Sequence, residues 1–457
     1  MRSPFIRIIV LKYCLCQFSR SKQLVRRAVQ RVSGNIVDVL NCRVYSGTLR
    51  IEHGIIADIS QRDGKDGVFI IPGLVDSHCH VESSMMVPSE FARLAAIHGT
   101  VAVVSDPHEI ANVLGVDGIK YMIENAATVP VKLYYGAPSC VPATAFETNG
   151  AVIGPHEIEE LLRSEDIKYL AEVMNFPGVI NNDPDIQAKI RIAKKYSKPV
   201  DGHAPGLTGE ALKSYISAGI TTDHECFGKD EALEKIRRGM KISIREGSAA
   251  RNFDELIPLV EEHYERCMFC TDDKHPDDLL RGHINELVKR ALHYGIDLMK
   301  VLRVASVNPV LHYGLDVGLL RKGDSADFIV VDDIKDFHIL KTYIKGKVAA
   351  EGGKSLIAKR YSKVINNFKI GKKRVEDFVL PCKGGSINVI GAIEGQLITD
   401  KLVTAPKIEG GCVVSDVQRD VLKLAVINRY GESKASIGFV KNFGLKVGAI
   451  ASSVAHD

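Results

Sequence analysis

The stretch that decides the fold is residues 69–80, FIIPGLVDSHCH, an apolar run that ends in His78 and His80. The short apolar part is typical of a buried strand. Side chains two residues apart on a strand point to the same side, so both imidazoles can reach one ion. A His-x-His pair by itself is a weak signal, and the rest of the chain must supply further ligands.

Seven more strand-like runs follow, with helical patterns between them. The runs are 101–108, 132–139, 167–175, 198–203, 221–225, 240–247 and 267–273. The clearest helical pattern covers 183–196, where Asp183 can cap the helix and Pro184 takes its first position. Similar patterns cover 89–98, 209–218 and 277–294. Eight strands that alternate with helices predict an α/β fold, a (β/α)8 barrel of the TIM type.

Two segments of short β pattern flank the predicted barrel. Residues 34–71 carry turn signals at Ser46-Gly47 and Asp63-Gly64, and residues 318–353 carry an apolar run and a hairpin-like segment at 343–347. We expect the two segments to pair into one small β-rich domain. A third region, from about residue 359, combines a predicted strand at 386–393 with a predicted helix at 417–430. The predicted division is 1–33 (basic leader and helix), 34–70 and 318–358 (small β domain), 71–317 (barrel) and 359–457 (C-terminal α+β domain).

Composition narrows the class of protein. The net charge is +4 over 457 residues, which gives no reason to expect a nucleic-acid partner. No run of about 18 uncharged apolar residues is present, so no membrane span is expected. Ten cysteines without framework spacing indicate reduced thiols in the cytoplasm. The Arg-rich leader resembles a transit peptide, but an irregular leader before an amphipathic helix at 19–32 is the preferred interpretation.

Metal-binding side chains stand at most of the predicted strand ends. They are His78, His80, Glu172, His203, His224 and Asp272. The C-terminal ends of barrel strands form the active sites of such barrels. Six ligands are more than one tetrahedral ion can bind, and they suit two ions bridged by a carboxylate. Glu172 is the expected bridge. Asp272 is expected to bind metal and to carry a proton from the attacking water to the leaving group.

Longer motifs around these residues resemble the adenine deaminase family of the amidohydrolase superfamily. The motifs are PGLVDSHCHVESSMM at 72–86, DPHEI at 106–110, MNFPGV at 174–179, DGHAPG at 201–206, REGSAARN at 245–252 and CTDD at 270–273. The resemblance extends from about residue 34 to the last residue. It implies a hydrolase of purine salvage that converts adenine and water to hypoxanthine and ammonia, with a metal-bound hydroxide attacking C6. It also implies two divalent ions, manganese or iron, and the ligands do not exclude zinc.

Five further residues are candidates for supporting roles. Asp106 and His108 share one face after the second strand, where they would bind an extra ion, orient the metal ligands or form a plain hydrogen-bonded pair. Glu82, Arg245 and Ser248 are candidates for reading the edge of a purine, with local loop hydrogen bonds as the alternative.

Three alternatives accompany this interpretation. Another amidohydrolase, acting on a cyclic amide or a related aminopurine, is the nearest, although many of those enzymes bridge their metals with a carbamylated lysine where this chain has Glu172. The small zinc deaminase fold is set aside, because Arg266 replaces the proline that precedes its Cys-x-x-Cys motif. The third alternative is an inactive, truncated relative with an incomplete C-terminal domain, because the family pattern continues beyond Asp457. Formation of a homo-oligomer is a further possibility that the sequence leaves open.

Overall fold

The structure is a computed structural model that describes residues 29–64, 66–144, 146–394 and 398–452. Most of the helix predicted at 19–32 lies outside the described residues. Its last three residues belong to the first strand, so the prediction is wrong there, since residues 30–38 pair with a neighbouring strand along their whole length. None of the helices in the described ranges has the length and hydrophobicity to cross a membrane.

Four strands precede the barrel: β1 Gln30–Asp38, β2 Arg43–Glu52, β3 Ile55–Gln61 and β4 Phe69–Pro72. The turn predicted at Ser46-Gly47 is wrong, because both residues lie inside β2 and pair with β1. A Cβ atom on Gly47 would lie 2.6 Å from Cδ1 of Ile36, so this glycine allows close packing of side chains. The connection between β1 and β2 is a short 3-10 helix at Val39–Asn41.

Nine strands build the barrel, and they are β5 Leu74–His80, β6 Thr100–Ser105, β7 Lys132–Ala137, β8 Ile167–Val173, β9 Val200–Gly202, β10 Thr222–Asp223, β11 Lys241–Arg245, β12 Cys267–Cys270 and β13 Asp272–Asp273. Parallel pairing joins β13, β5, β6, β7, β8 and β9 in that order, and a second set joins β10, β11 and β12. Between the two sets the amide of Thr221 donates to the carbonyl of Val200. Because β13 continues β12, the eight predicted strand positions close into a barrel.

Helices follow most barrel strands. They are α1 Pro88–Ala95, α2 His108–Leu114, α3 Val116–Ala126, α4 Pro155–Arg163, α5 Phe176–Ile180, α6 Pro184–Lys195, α7 Gly209–Ser217, α8 Lys229–Arg237, α9 Phe253–Leu256, α10 Val260–His263, α11 Pro276–Arg281, α12 Ile284–Tyr294, α13 Leu298–Leu302 and α14 Asn308–Tyr313. The α6 prediction is confirmed, with Asp183 accepting from the amides of Asp185 and Ile186. The helix predicted at 277–294 is two helices, because Gly282 and His283 leave helical geometry between α11 and α12.

The two flanking segments share one sheet, as predicted. After the barrel come β14 Phe328–Val331, β15 Ile339–Ile344, β16 Lys347–Glu351 and β17 Lys354–Ser355. The β14 strand pairs antiparallel with β4, which joins all eight flanking strands. The hairpin between β15 and β16 turns at Lys345 and Gly346, both with positive φ.

The C-terminal region is β-rich in its described part. Its strands are β18 Ile387–Ala392, β19 Thr399–Thr404, β20 Lys407–Glu409, β21 Cys412–Val414, β22 Val421–Val426 and β23 Ser436–Lys441. The predicted strand at 386–393 is confirmed, but the predicted helix at 417–430 is wrong, since β22 occupies it. Leu422, Leu424 and Val426 alternate with other residues at the period of a strand, and β22 pairs antiparallel with β23.

Candidate active site

The metal-capable residues expected at the strand ends gather at the C-terminal end of the barrel. His78 and His80 lie on β5, Glu172 lies on β8 and Asp272 lies on β13. His203 directly follows β9, and His224 directly follows β10. Five of these six side chains are at least 93% buried, whereas the side chain of His203 is 26% exposed. The site therefore meets solvent beside His203.

One group of donors forms around the β5 histidines. Their Nε2 atoms lie 3.1 Å apart. Oδ1 of Asp272 is 3.5 Å from Nε2 of His78 and 3.2 Å from Nε2 of His80. Three donor atoms on two elements thus converge on one point.

Glu172 connects this group to a second one. Its Oε1 lies 3.2 Å from Nε2 of His80, and its Oε2 lies 2.8 Å from Nδ1 of His203 and 3.3 Å from Nε2 of His224. Each carboxylate oxygen therefore faces a different set of imidazoles. This is the arrangement that a bridging carboxylate requires.

Asp106 and His108 also reach the centre, although β6 ends before them. Nδ1 of His108 is 3.3 Å from Oδ2 of Asp106 and 3.4 Å from Oε1 of Glu172. The backbone carbonyl of Asp106 is 3.1 Å from Nδ1 of His80. His80, Asp106, His108 and Glu172 form one of the buried groups whose donor atoms lie close enough to share an ion.

Arg245 lies between two carboxylates beside the centre. Its Nη1 donates to Oδ2 of Asp272 at 2.6 Å and also pairs with Glu225, whose Oε2 accepts from Nη2 at 3.1 Å. Glu225 was missed in the sequence, because it follows His224 directly and alternation on a strand would point it away. The β10 strand ends at Asp223, so alternation no longer applies at Glu225.

Hydrogen bonds to Asp76 stabilise the strand end that carries Asp272. The carboxylate of Asp76 on β5 accepts from the amide of Thr271 at 3.1 Å and from its hydroxyl at 2.5 Å. The imidazole of His283 lies 3.0 Å from the same carboxylate. Asp272 itself has a φ of 54°, a left-handed conformation that turns its side chain away from the strand pattern.

The charges of the two central carboxylates are set by their neighbours. Burial by itself would raise the pKa of Asp272, but Arg245 and the β5 histidines hold it well below its ordinary value. Burial also opposes ionisation of Glu172, and its contacts with His203 and His224 nevertheless hold its pKa well below the usual range. Both carboxylates are therefore anionic and able to bind cations.

The three residues expected to face the substrate lie in different places. Arg245 lines a cavity of about 400 Å³ that is also bordered by His203, Glu225 and Phe227. Glu82 lines a separate cavity of about 300 Å³, and burial and the charge of Glu109 raise the pKa of Glu82 to about 8. Ser248 lines neither cavity, since its hydroxyl donates to Asp278 and accepts from the amide of His275.

The donor set fits divalent metal ions. Imidazole nitrogens and carboxylate oxygens are ligands of zinc, iron and manganese. Three groups of them, buried except for His203, have donor atoms within 4.8 Å of one another: His80, Asp106, His108 and Glu172; His78, His224 and Asp272; and Glu172, His203 and His224. The residues present can therefore hold more than one ion.

Known proteins match both the barrel and the C-terminal region. The profile of the amidohydrolase family matches residues 69–349, and that of the adenine deaminase C-terminal domain matches residues 396–457. The adenine deaminase of Methanosarcina barkeri is 51% identical, over 94% of this chain and 80% of the relative. The adenine deaminase of a Sulfurovum species is 54% identical, over 93% of this chain and 78% of the relative.

Solved structures agree on the fold. A β-aspartyl dipeptidase of Fervidobacterium islandicum has a TM-score of 0.53 at 15% identity, covering 73% of this chain and 98% of its own. An N-acetylglucosamine-6-phosphate deacetylase of Thermotoga maritima has a TM-score of 0.52 at 16% identity, covering 71% and 100%. These distant likenesses support the barrel, and the closer relatives support the family. The chain belongs to the adenine deaminase family of the amidohydrolases.

Proposed function

We propose that this chain is an adenine deaminase, a hydrolase that converts adenine and water to hypoxanthine and ammonia. The observation that carries the proposal is the convergence of four histidines and two carboxylates at the C-terminal end of a barrel that belongs to this family. The curated relatives that match nearly the whole chain are named adenine deaminases. The fourth barrel strand carries Glu172 near its C-terminal end, whereas its one lysine, Lys168, lies near the opposite end, which speaks against a cyclic-amide hydrolase with a carbamylated lysine at the metal centre.

Two divalent cations, manganese or iron, are the cofactors that we propose. His78, His80 and Asp272 would hold one, His203 and His224 the other, and Glu172 would contact both. When bound, such ions lower the pKa of coordinated water and so make a nucleophile available at neutral pH. Asp106 and His108 would orient these ligands or accept a further ion.

Asp272 is the residue that we propose for proton transfer. Its Oδ1 faces the β5 histidines, and its Oδ2 accepts from Arg245. Arg245 keeps the carboxylate ionised and fixes its direction, so Asp272 can accept a proton from the attacking water and return it to the departing amine.

The purine would occupy the cavity of about 400 Å³ beside His203. This is the side on which a proposed ligand is exposed, and the volume is sufficient for a bicyclic base. Phe227 is 52% exposed and would cover one face of the ring, while Glu225 and Arg245 would read its polar edge. Ile398, from the C-terminal region, also lines this cavity.

Metal analysis combined with an adenine deamination assay tests the proposal. The wild-type protein should bind two metal ions per chain and release ammonia from adenine. Glu172→Gln should lose one ion together with activity, whereas Glu210→Gln on the exposed face of α7 should change neither. Retention of both ions by Glu172→Gln would remove the bridging role, and activity only on dihydroorotate or hydantoin would overturn the deaminase.

The position of the purine is tested through KM. Stacking of a base on an aromatic side chain contributes roughly 1–3 kcal/mol, so Phe227→Ala should raise the KM for adenine about tenfold with unchanged metal content. Leu280→Ala removes an apolar side chain outside the cavity that is at least as exposed as Phe227, and it serves as the control. An unchanged KM in Phe227→Ala would place the purine elsewhere.

A further inference from the structure

Lys235 on α8 is a completely buried cation close to the proposed metal centre. Its ammonium group donates to the carbonyl of Ala204 at 2.7 Å, to Oδ2 of Asp223 at 2.9 Å and to Oε1 of Glu231 at 2.6 Å. Burial by itself would lower the pKa of Lys235, but its neighbours, Asp223 foremost among them, together more than offset this and hold the pKa above its ordinary value. The side chain is therefore charged and uses all three of its N–H groups.

Two of the three acceptors of this ammonium adjoin His203 and His224, the histidines of the second group, whereas Glu231 lies on α8 itself. Ala204 directly follows His203, and Asp223 directly precedes His224. The other carboxylate oxygen of Asp223 accepts from the amide of Ala204 at 2.8 Å. Both polar groups of Ala204, its N–H and its C=O, are thus bound by the Asp223–Lys235 pair.

This pair sits where it can set the distance between two proposed ligands. His203 and His224 approach the same oxygen of Glu172, at 2.8 and 3.3 Å. The β9 and β10 strands that precede them are only three and two residues long, so their own pairing restrains the loops little. Lys235 supplies the restraint from outside the barrel wall.

The same place has the composition of a metal site. Asp223, Cys226 and Glu231 bring donor atoms within 4.8 Å of one another. However, the Lys235 ammonium already binds the two carboxylates of this group, and the Cys226 thiol donates to Oδ2 of Asp223 at 3.1 Å. Lys235 therefore supplies the positive charge that balances the carboxylates of Asp223 and Glu231.

We propose that Lys235 is a positioning residue, whose ammonium group joins Asp223 to Ala204 and thereby holds His203 and His224 at the spacing that binds a divalent cation. The proposal rests on the metal centre of the proposed function. Lys235 touches no reacting atom and acts through the two histidines. Its effect should therefore appear in metal affinity.

Titration of the metal-free 457-residue chain with Mn²⁺ tests the proposal. Changing residues that orient metal ligands lowers metal affinity about 10–100-fold. Lys235→Met keeps the length of the side chain and removes its charge, and it should weaken one of two Mn²⁺ ions at least about tenfold. The other ion should be weakened less, because none of the hydrogen bonds of Lys235 reaches His78, His80, Asp272 or their chain neighbours.

Lys132→Met is the matched control. Lys132 at the start of β7 lies at the opposite end of the barrel and donates to the buried Asp327 at 2.7 Å. Both substitutions break a buried Lys–Asp pair and should lower stability, but only Lys235→Met should change Mn²⁺ affinity. Wild-type affinity in Lys235→Met, or equal weakening in both variants, would overturn the proposal.

A second variant tests the proposal if Lys235→Met does not fold. Asp223→Asn keeps the volume and the oxygen that accepts from Ala204, but it removes the charge that binds Lys235. It should weaken the same ion, and unchanged affinity would overturn the proposal. Mn²⁺ binding does not need turnover, so two bound ions without ammonia release would contradict only the deaminase, whereas a wild-type chain that binds no Mn²⁺ would contradict both.

Discussion

Arg245 controls the charge of Asp272 at the scale of a single residue. Its guanidinium donates to Asp272 at 2.6 Å, and the partner carboxylate Glu225 binds it from the other side. An isolated carboxylate buried to this degree would favour its protonated form. The activity of the proposed proton carrier therefore depends on Arg245.

The first prediction concerns the pH dependence of activity. Arg245→Met removes the cation that lowers the pKa of Asp272, so this pKa should rise and the acid limb of kcat/KM should move to higher pH. Arg245→Lys should keep the limb closer to its original position, because the charge remains. Arg251→Met, with a half-exposed side chain at the same cavity, is the control. An acid limb that does not move in Arg245→Met would contradict this role.

The second prediction concerns His312, which is buried at the base of the barrel on α14. Burial and the nearby Lys241 lower its pKa to about 3. Its Nδ1 lies 3.0 Å from Nζ of Lys241, so it accepts from the ammonium group and resists protonation. The unfolded chain gains a proton on this histidine below about pH 6.5, while the folded chain does not until about pH 3.

The stability contributed by His312 should therefore be present above about pH 6.5 and be lost as the pH falls toward 3, at roughly 1.4 kcal/mol per pKa unit at most. Urea unfolding at several pH values measures it. His312→Gln should lose less stability between pH 6.5 and 4.5 than the wild type, and His156→Gln, on an exposed side chain, should follow the wild type. Parallel curves for wild type and His312→Gln would contradict the prediction.

Elements of this protein follow local sequence where one element makes its own hydrogen bonds. The boundaries of α6 could be predicted because Asp183 and Pro184 define its start by side-chain chemistry alone. The C-terminal segment at 417–430 could not, because its β22 strand depends on pairing with β23, ten residues further along the chain. Strand pairing is a tertiary interaction, and local propensity describes it poorly.

The third prediction concerns the start of α6. Asp183→Ala removes the acceptor for the amides of Asp185 and Ile186, so the free energy of unfolding should fall by about 1 kcal/mol. Asp183→Asn retains an acceptor and should cost only a fraction of this. Chemical denaturation measures both, and equal stability of Asp183→Ala and the wild type would contradict the capping role.

At the scale of the whole molecule, the donor cluster connects the two strand sets of the barrel. Residues from β5, β8 and β13 meet the histidines that follow β9 and β10 within a few ångströms. Cations that bind only the folded chain stabilise it by mass action, by about 4 kcal/mol at a thousandfold excess over Kd. The barrel and its metals should therefore unfold as one unit.

The fourth prediction is that removal of metal lowers thermal stability. A chelator should reduce the Tm of the wild-type protein by several degrees, and added Mn²⁺ should restore it. Glu172→Gln, which replaces one of the two oxygens that face the two groups and removes the negative charge, should show a smaller difference between the Tm with chelator and the Tm with Mn²⁺. Identical Tm values for the wild type with chelator and with Mn²⁺ would contradict the coupling of metal to the fold.

By itself, the sequence determined the alternation of strands and helices, the presence of imidazoles and carboxylates at the strand ends and the family. These features are local, because the period of apolar residues and motifs such as 72–86 can be recognised without knowing what lies beside them. Even the pairing of the flanking segments followed from their positions around the barrel.

Only the tertiary structure decided what surrounds His78 and His80. Three features are of this kind: the contact of Glu225 with Arg245, the exposure of His203 and the hydrogen bonds of Lys235 beside two histidines. Each depends on residues that are distant in the chain. His203 and Glu225 lie just beyond the ends of short strands, where the alternation of side chains stops. No period in the sequence records those distances, since packing of the barrel alone sets them.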